Sequence, residues 1–196
     1  MKIVENTYSS SYEIKKSTFL AFLTPFSEFE ALHERLKNEH PKAAHVVWAY
    51  RYLNEFSQIV ENSSDDGEPK GTSGPPILNV MRGLNLVNAA IFVVRYFGGI
   101  KLGTGGLVRA YGTSAKMVLD SAQLKNHEIK SQFSFTCKYF LVRNLEHFLT
   151  KENILIHERV FDSEDILWKI DITKEQKEKL INFLDEFIKT QNAVIL

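Results

Sequence analysis

The sequence is poor in cysteine, in long apolar runs and in metal-binding clusters. Cys137 is the single cysteine among 196 residues, so an internal disulfide is excluded and a reducing compartment is expected. No apolar run approaches about 18 residues, and the start lacks the apolar stretch of a signal peptide, so we expect no membrane span and a cytoplasmic location. The six histidines form no His/Cys cluster with zinc spacing. We therefore expect no metal site and no cofactor.

The chain also lacks an excess of either charge. Lysine and arginine total 24, and aspartate and glutamate also total 24. Proteins that coat nucleic acid by neutralising phosphates usually carry a large positive excess, so any such contact here is expected to be local. The hydrophobic fraction of 44% is near the average for folded domains and predicts a packed core.

Glycine is absent from most of the chain, because all ten glycines fall between Gly67 and Gly112. Glycine is needed where φ is positive or where backbone approaches another group closely. This clustering indicates loops of special geometry in one region.

The pattern before residue 126 predicts alternating strands and helices. Residues 11–26 are expected to be extended, and Ser27 with Glu30 resembles a capping box at the start of a helix. Residues 43–53 and 56–64 resemble a hairpin. Residues 89–97 form an apolar run typical of a strand buried on both faces, and a helix is expected over 106–123.

The pattern changes after residue 126 to strand, helix, strand, strand, helix and strand. This βαββαβ order is typical of a ferredoxin-like domain, and Thr173 with Gln176 predicts a capping box at its last helix. The sequence therefore predicts an α+β protein with domains at 1–126 and 127–196.

The segment FVVRYFGGIKLGTGGLVRAYG, residues 92–112, predicts an anion-binding site. Residues 98–106, here named the glycine loop, present backbone amides and lead into the start of a helix, where unpaired N–H groups and the positive end of the dipole favour anions. Arg95, Lys101 and Arg109 are expected to add mobile positive charge. The alternative is that the glycines only permit tight turns. The segment matches neither GxxxxGK[ST] nor GxGxxG, so it does not indicate a nucleoside triphosphate or dinucleotide. The candidate ligand-binding residues here are Arg95, Gly98, Gly99, Lys101, Gly103, Thr104, Gly105, Gly106 and Arg109.

The segment SSDDGEPKGTSGPP, residues 63–76 and here named the acidic loop, adds Asp65, Asp66 and Glu68 to the candidates. Three carboxylates could supply oxygen ligands to magnesium or calcium, although the spacing is not that of an EF-hand. The alternatives are a solvated turn or a loop tied to the arginines. His45 opens a strand near this loop, where it could contact phosphate or transfer a proton. Cys137 is expected in the core, and no Gly-x-Ser-x-Gly elbow is present, so we predict no catalytic residue.

The two segments together resemble those of the IMPACT family, bacterial YigZ type. The resemblance implies an N-terminal two-layer α/β domain with the βαβ fold shared by a small-subunit ribosomal protein and the GHMP kinases. The second domain would be similar to the C-terminal domain of elongation factor G. The resemblance also implies translational control, since eukaryotic relatives bind a partner of an initiation-factor kinase. The family motif maps onto Asp65, Asp66, Gly67, Glu68, Pro69, Gly71, Arg95, Tyr96, Phe97, Gly98, Gly99, Lys101, Leu102, Gly103, Gly105, Gly106 and Arg109.

The leading hypothesis is a cytosolic, non-catalytic binding protein of translation or its regulation. It would contact RNA or ribosome phosphates, or a protein partner, through the glycine loop and its cations. The alternative is a phosphate- or nucleotide-binding enzyme that holds magnesium on the acidic loop. The sequence leaves the oligomeric state open.

Overall fold

The computed structural model describes residues 1–196, which divide into two compact units, Met1–His127 and Glu128–Leu196. Both units combine helices with antiparallel sheets, which confirms the predicted α+β class. No helix combines the length and apolar character that crossing a membrane requires.

The N-terminal unit is built on a five-stranded antiparallel sheet. The strands of the whole unit are β1 (Lys2–Ile3), β2 (Tyr8–Ile14), β3 (Ser17–Pro25), β4 (His45–Leu53), β5 (Ile59–Ser64), β6 (Ala89–Tyr96) and β7 (Lys125–Asn126). The sheet order is β2-β3-β6-β4-β5, while β1 and β7 form a separate two-stranded ribbon. The central strand β6 is therefore hydrogen-bonded to both β3 and β4.

Helices cover both faces of this sheet. They are α1 (Phe29–Glu39), α2 (Gly74–Gly83) and α3 (Thr104–Asp120). Alternate residues of β6 enter two separate cores, with Ile91 in the core that contains α2 and α3 and Phe92 in the core that contains α1. The apolar stripe of α1 buries the second face, so the unit has three layers, one more than the two expected from the resemblance.

Two local predictions in this unit needed correction. The predicted capping box of Ser27 and Glu30 is wrong, because the helix begins at Phe29 with no side-chain cap. A 3₁₀ turn, Phe26–Glu28, precedes it, and the Phe26 ring stacks on Tyr52 with centroids 4.2 Å apart. This stacking contact fixes the path of the chain into α1. In addition, α3 begins at Thr104, two residues before the predicted start.

The C-terminal unit has the predicted ferredoxin-like topology. Its elements are β8 (Ser131–Lys138), α4 (Val142–Lys151), β9 (Leu155–Phe161), β10 (Asp165–Ile172), α5 (Lys174–Lys189) and β11 (Ala193–Ile195). The sheet order is β11-β8-β10-β9 with antiparallel neighbours throughout. Cys137 lies in the core, where Trp168 Nε1 donates to its sulfur at 3.2 Å. Burial raises the pKa of the Cys137 thiol, which keeps it protonated.

The predicted capping box of α5 is present in full. The Thr173 hydroxyl accepts a hydrogen bond from Gln176 N, and the Gln176 side chain accepts one from Thr173 N.

We expect Thr173→Ala to lower the free energy of unfolding by about 1 kcal/mol, because an orphan amide of α5 loses its acceptor. Ser27→Ala is the matched control, since Ser27 is exposed and caps no helix. Urea unfolding followed by circular dichroism compares the two. Equal losses in both variants would contradict the assignment of the caps.

Candidate functional site

A pocket of about 540 Å³ opens between the end of β6 and the start of α3. We name it the β6–α3 pocket. Its lining residues come from the start of β4, the acidic loop, the end of β6, the glycine loop and α3, and they are Ala44, His45, Glu68, Pro69, Arg95, Phe97, Lys101, Leu102, Gly103, Thr104 and Leu107. A concave site with apolar walls and a few convergent polar groups is the usual form of a ligand site.

A buried ion pair forms one wall of the pocket. Glu68 Oε1 accepts hydrogen bonds from Arg95 Nη1 at 2.5 Å and from the Tyr111 hydroxyl at 2.7 Å. The side chains of Glu68 and Arg95 are only 3% and 7% exposed. Burial, followed by the Glu68 charge, raises the pKa of Tyr111 above its ordinary value, so its hydroxyl stays a donor. The pair therefore ties the acidic loop to β6 and α3.

Arg95 has donor capacity beyond this pair. Nη1 is its one nitrogen with a hydrogen-bond partner in the chain, and Nε is buried without any acceptor. The guanidinium lies 5.5 Å from the ring centre of Phe19 and 5.6 Å from that of Phe97. Buried donors without acceptors are rare in native proteins, so this one indicates strain or an absent partner.

Asp66 holds the acidic loop against the start of β4. Its Oδ2 accepts from Val46 N at 2.6 Å, and its backbone oxygen contacts His45 Nδ1 at 2.7 Å. The other ring nitrogen of His45, Nε2, lies 3.8 Å from Glu68 Oε1. Asp66 thereby orients His45 toward the buried pair.

Asp65 organises the rest of the acidic loop and the start of α2. Its two oxygens accept from the backbone amides of Gly71, Ser73 and Gly74 at 2.6, 3.0 and 2.9 Å, and from the Ser73 hydroxyl at 2.6 Å. Burial alone would raise the pKa of Asp65, but these hydrogen bonds outweigh it and lower the pKa below 3.8.

The glycine loop presents backbone amides that have no partner in the chain. Gly98 N donates to Ser17 Oγ at 3.2 Å, whereas the amides of residues 99–106 find no acceptor. Gly103 precedes α3 with φ of 73°, a left-handed conformation that favours glycine, and no side chain caps the helix. The first turn of α3 is therefore open to an anion.

Gly98 is required by close packing. A Cβ at this position would lie 2.0 Å from the carbonyl group of Lys16. Any other residue would push the loop away from the β2–β3 turn, so the glycine fixes where the loop begins.

The three cations of this region have different environments. Arg95 is buried and paired, which corrects the expectation of a mobile loop charge. Lys101 and Arg109 are exposed and form no ion pair in the chain. The Arg109 guanidinium lies beside the first turn of α3, since Nη1 would be 3.9 Å from a Cβ on Gly105. Two free positive charges thus accompany the open amides.

The pocket brings together only some of the predicted residues. His45, Glu68, Arg95, Lys101, Gly103 and Thr104 line it. The others, which border the pocket or support its loops without lining it, are Asp65, Asp66, Gly98, Gly99, Gly105, Gly106 and Arg109. No three His, Cys, Asp or Glu side chains converge in an arrangement that could hold a metal ion, because the acidic-loop carboxylates point to different partners.

Sequence reasoning missed the hydroxyl of Tyr111 and the apolar wall. Tyr111 lies within the helix predicted over 106–123, but no local pattern indicates that its hydroxyl donates to Glu68. Leu107 and Tyr111 lie one helical turn apart on the inward stripe of α3, which was the available signal.

Known proteins match the part of the chain that contains both loops. The IMPACT N-terminal domain matches residues 15–119. IMPACT family member YigZ of Escherichia coli strain K12 is 37% identical over 142 residues, which cover 70% of this chain and 69% of the relative. IMPACT family member YvyE of Bacillus subtilis strain 168 is 31% identical over 184 residues, 92% of this chain and 83% of the relative.

The chain belongs to the IMPACT family. A crystal structure of a hypothetical protein is also similar, at 28% identity and a TM-score of 0.64, and the match covers 100% of this chain and 95% of that one. Every lining residue of the β6–α3 pocket falls inside the matched IMPACT N-terminal domain.

In this IMPACT family member, we expect Glu68→Ala to lower the free energy of unfolding by about 3 to 5 kcal/mol, because Arg95 is left buried without its anion. The control is Glu5→Ala, which removes the exposed pair of Glu5 with Lys125 and should change stability by less than about 1 kcal/mol. Urea unfolding measures both. A loss no larger than that of the control would show that the Glu68 pair is not buried as described.

Asp65→Asn should destabilise the fold by about 1 to 2 kcal/mol at neutral pH, because an amide group cannot accept all the hydrogen bonds. The wild-type pKa lies below the ordinary 3.8, so the carboxylate's contribution is complete above about pH 4 and is lost as pH falls through the lowered pKa. The stability difference between wild type and Asp65→Asn should therefore shrink below pH 4.

Unfolding midpoints in urea at several pH values test this dependence. Asp120→Asn is the control, because Asp120 is exposed and its carboxylate forms no hydrogen bond or ion pair in the chain. A difference that stays constant down to pH 3 would contradict the role given to Asp65.

Proposed function

We propose that this IMPACT family member is a cytoplasmic, non-catalytic binding protein of translation or its regulation. It contacts RNA or ribosome phosphates at the mouth of the β6–α3 pocket. The observation that carries the proposal is the set of unpartnered amides over residues 99–106 beside the exposed cations Lys101 and Arg109.

These groups suit a phosphate for two physical reasons. The first N–H groups of α3 have no acceptor and carry the positive end of the helix dipole. Lys101 and Arg109 supply long-range attraction without first breaking an ion pair. Arg95 is too deeply buried to meet a phosphate backbone and belongs to the wall of the pocket.

Family membership supports the connection to translation. Resemblance to the IMPACT family implies translational control for the eukaryotic members. The matched domain of this chain contains the whole pocket. The same exposed surface would also serve if this protein docks on a ribosome-associated protein factor. Capture of such a factor that survives nuclease treatment would identify a protein partner in place of RNA.

The magnesium-dependent enzyme is the weaker interpretation. The Asp65 carboxylate accepts from amides of the acidic loop, the Asp66 carboxylate accepts from Val46 N in β4, and Glu68 pairs with Arg95. The three carboxylates therefore form no shared oxygen shell. His45, which Asp66 orients, faces the Glu68 carboxylate, so this candidate base is not directed at a nucleophile.

The double substitution Lys101→Ala and Arg109→Ala should weaken retention on single-stranded RNA about tenfold at low salt. It should also reduce the slope of log affinity against log salt by about 1.4, since each phosphate contact contributes about 0.7 for single strands. Filter binding over a salt series, with ribosome co-sedimentation in parallel, provides the measurement.

The matched control is Arg35→Ala with Lys37→Ala. This variant removes the same charge from exposed positions on α1, which covers the opposite face of the sheet. Equal weakening in both variants would indicate non-specific attraction and contradict the proposed surface.

A further inference from the structure

The β6–α3 pocket divides into a positive mouth and a polar but neutral interior. Lys101, Thr104 and the open end of α3 lie at the mouth, while the Glu68–Arg95 pair forms the inner wall. An anion is attracted to the mouth. It is not attracted farther in, because the carboxylate of Glu68 already neutralises Arg95.

The inner wall presents a hydrogen-bond acceptor from Glu68 beside hydrogen-bond donors from Arg95. The contacts of Glu68 within the chain all end on Oε1, which leaves Oε2 without a partner. Arg95 is 93% buried, lines the pocket and uses only Nη1 in hydrogen bonding. A group that fits here carries a hydrogen-bond donor and acceptor side by side, as the Watson–Crick edge of a nucleobase does.

The walls between mouth and interior are apolar. Phe97 is 52% exposed and carries the Arg95 guanidinium near its ring, so its free surface offers a platform for a planar group. Leu102, Leu107 and Ala44 complete the wall. The volume of about 540 Å³ lies within the range of small-ligand pockets, about 300 to 1,000 Å³.

We propose that the β6–α3 pocket binds one nucleotide, with its phosphate at the mouth and its base against Glu68 and Arg95. The nucleotide is either a free monophosphate or an unpaired unit of RNA, and the two share the same recognition chemistry. This inference rests on the proposed function and deepens it, because it names an unpaired nucleotide as the feature recognised.

The experiment titrates the full chain with uridine 5′-monophosphate, uridine, ribose 5-phosphate and a short single-stranded oligouridylate, followed by calorimetry. We expect loss of either the base or the phosphate to weaken binding at least tenfold. Lys101→Ala should weaken uridine 5′-monophosphate severalfold and leave uridine unchanged. Ribose 5-phosphate binding as tightly as the nucleotide would overturn the proposal.

A pocket-filling variant separates this inference from the proposed function. Ala44 is an exposed lining residue, so Ala44→Phe fills the pocket while both members of the Glu68–Arg95 pair are retained, and Ala31→Phe on α1 is its control. We expect Ala44→Phe, but not Ala31→Phe, to abolish binding of the monophosphate and to weaken binding of the oligonucleotide at least tenfold. Oligonucleotide binding that is unchanged in Ala44→Phe, with no monophosphate binding by the wild type, would overturn the pocket and leave the phosphate surface standing. Monophosphate binding without retention of any RNA by the wild type would support the pocket as a site for free nucleotides and overturn the proposed function instead.

Discussion

One carboxylate oxygen, Glu68 Oε1, joins the parts of the molecule that surround the pocket. It receives Arg95 from the central strand and Tyr111 from the middle of α3, and Glu68 itself belongs to a loop. Taking these charges out of water is expensive, and here their mutual attraction and the hydrogen bond from the Tyr111 hydroxyl offset that cost. The arrangement therefore converts a glycine- and proline-rich loop, which would otherwise be mobile, into a fixed wall.

Charged residues of this region separate into those that build the site and those that remain free. Asp65 and Asp66 accept from backbone amides, and Arg95 pairs with Glu68, so each of these charges has a partner within the fold. Lys101 and Arg109 remain at the surface beside amides that no group of the chain caps. Under the proposed function such a site is preorganised, because an anion would bind with little rearrangement.

The sequence predicted the elements better than the contacts. Strong periodicity and turn residues located β6, the hairpin of β4 and β5, and the ferredoxin-like order of the C-terminal unit. The capping motif at Thr173 was predicted and is present, whereas the similar motif at Ser27 is absent, because a 3₁₀ turn with Phe26 packed on Tyr52 precedes the helix there. A local pattern cannot reveal such tertiary competition. The sequence pointed to the glycine loop and the acidic loop as the candidate site. It could not indicate the burial of Arg95 or the hydrogen bond of the Tyr111 hydroxyl, because both depend on residues from distant parts of the chain.

The short ribbon of β1 and β7 has a consequence for the topology of the N-terminal unit. Lys2 lies opposite Asn126, and the backbone N–H of His127 donates to the Met1 oxygen, so the unit's two termini are adjacent. Domains with neighbouring termini tolerate circular permutation and insertion into a host loop. Joining Met1 to His127 and opening the chain in the exposed turn after β4 would give a circular permutant of the unit that carries the pocket. The same adjacency of termini suits insertion of the unit into a loop of another protein.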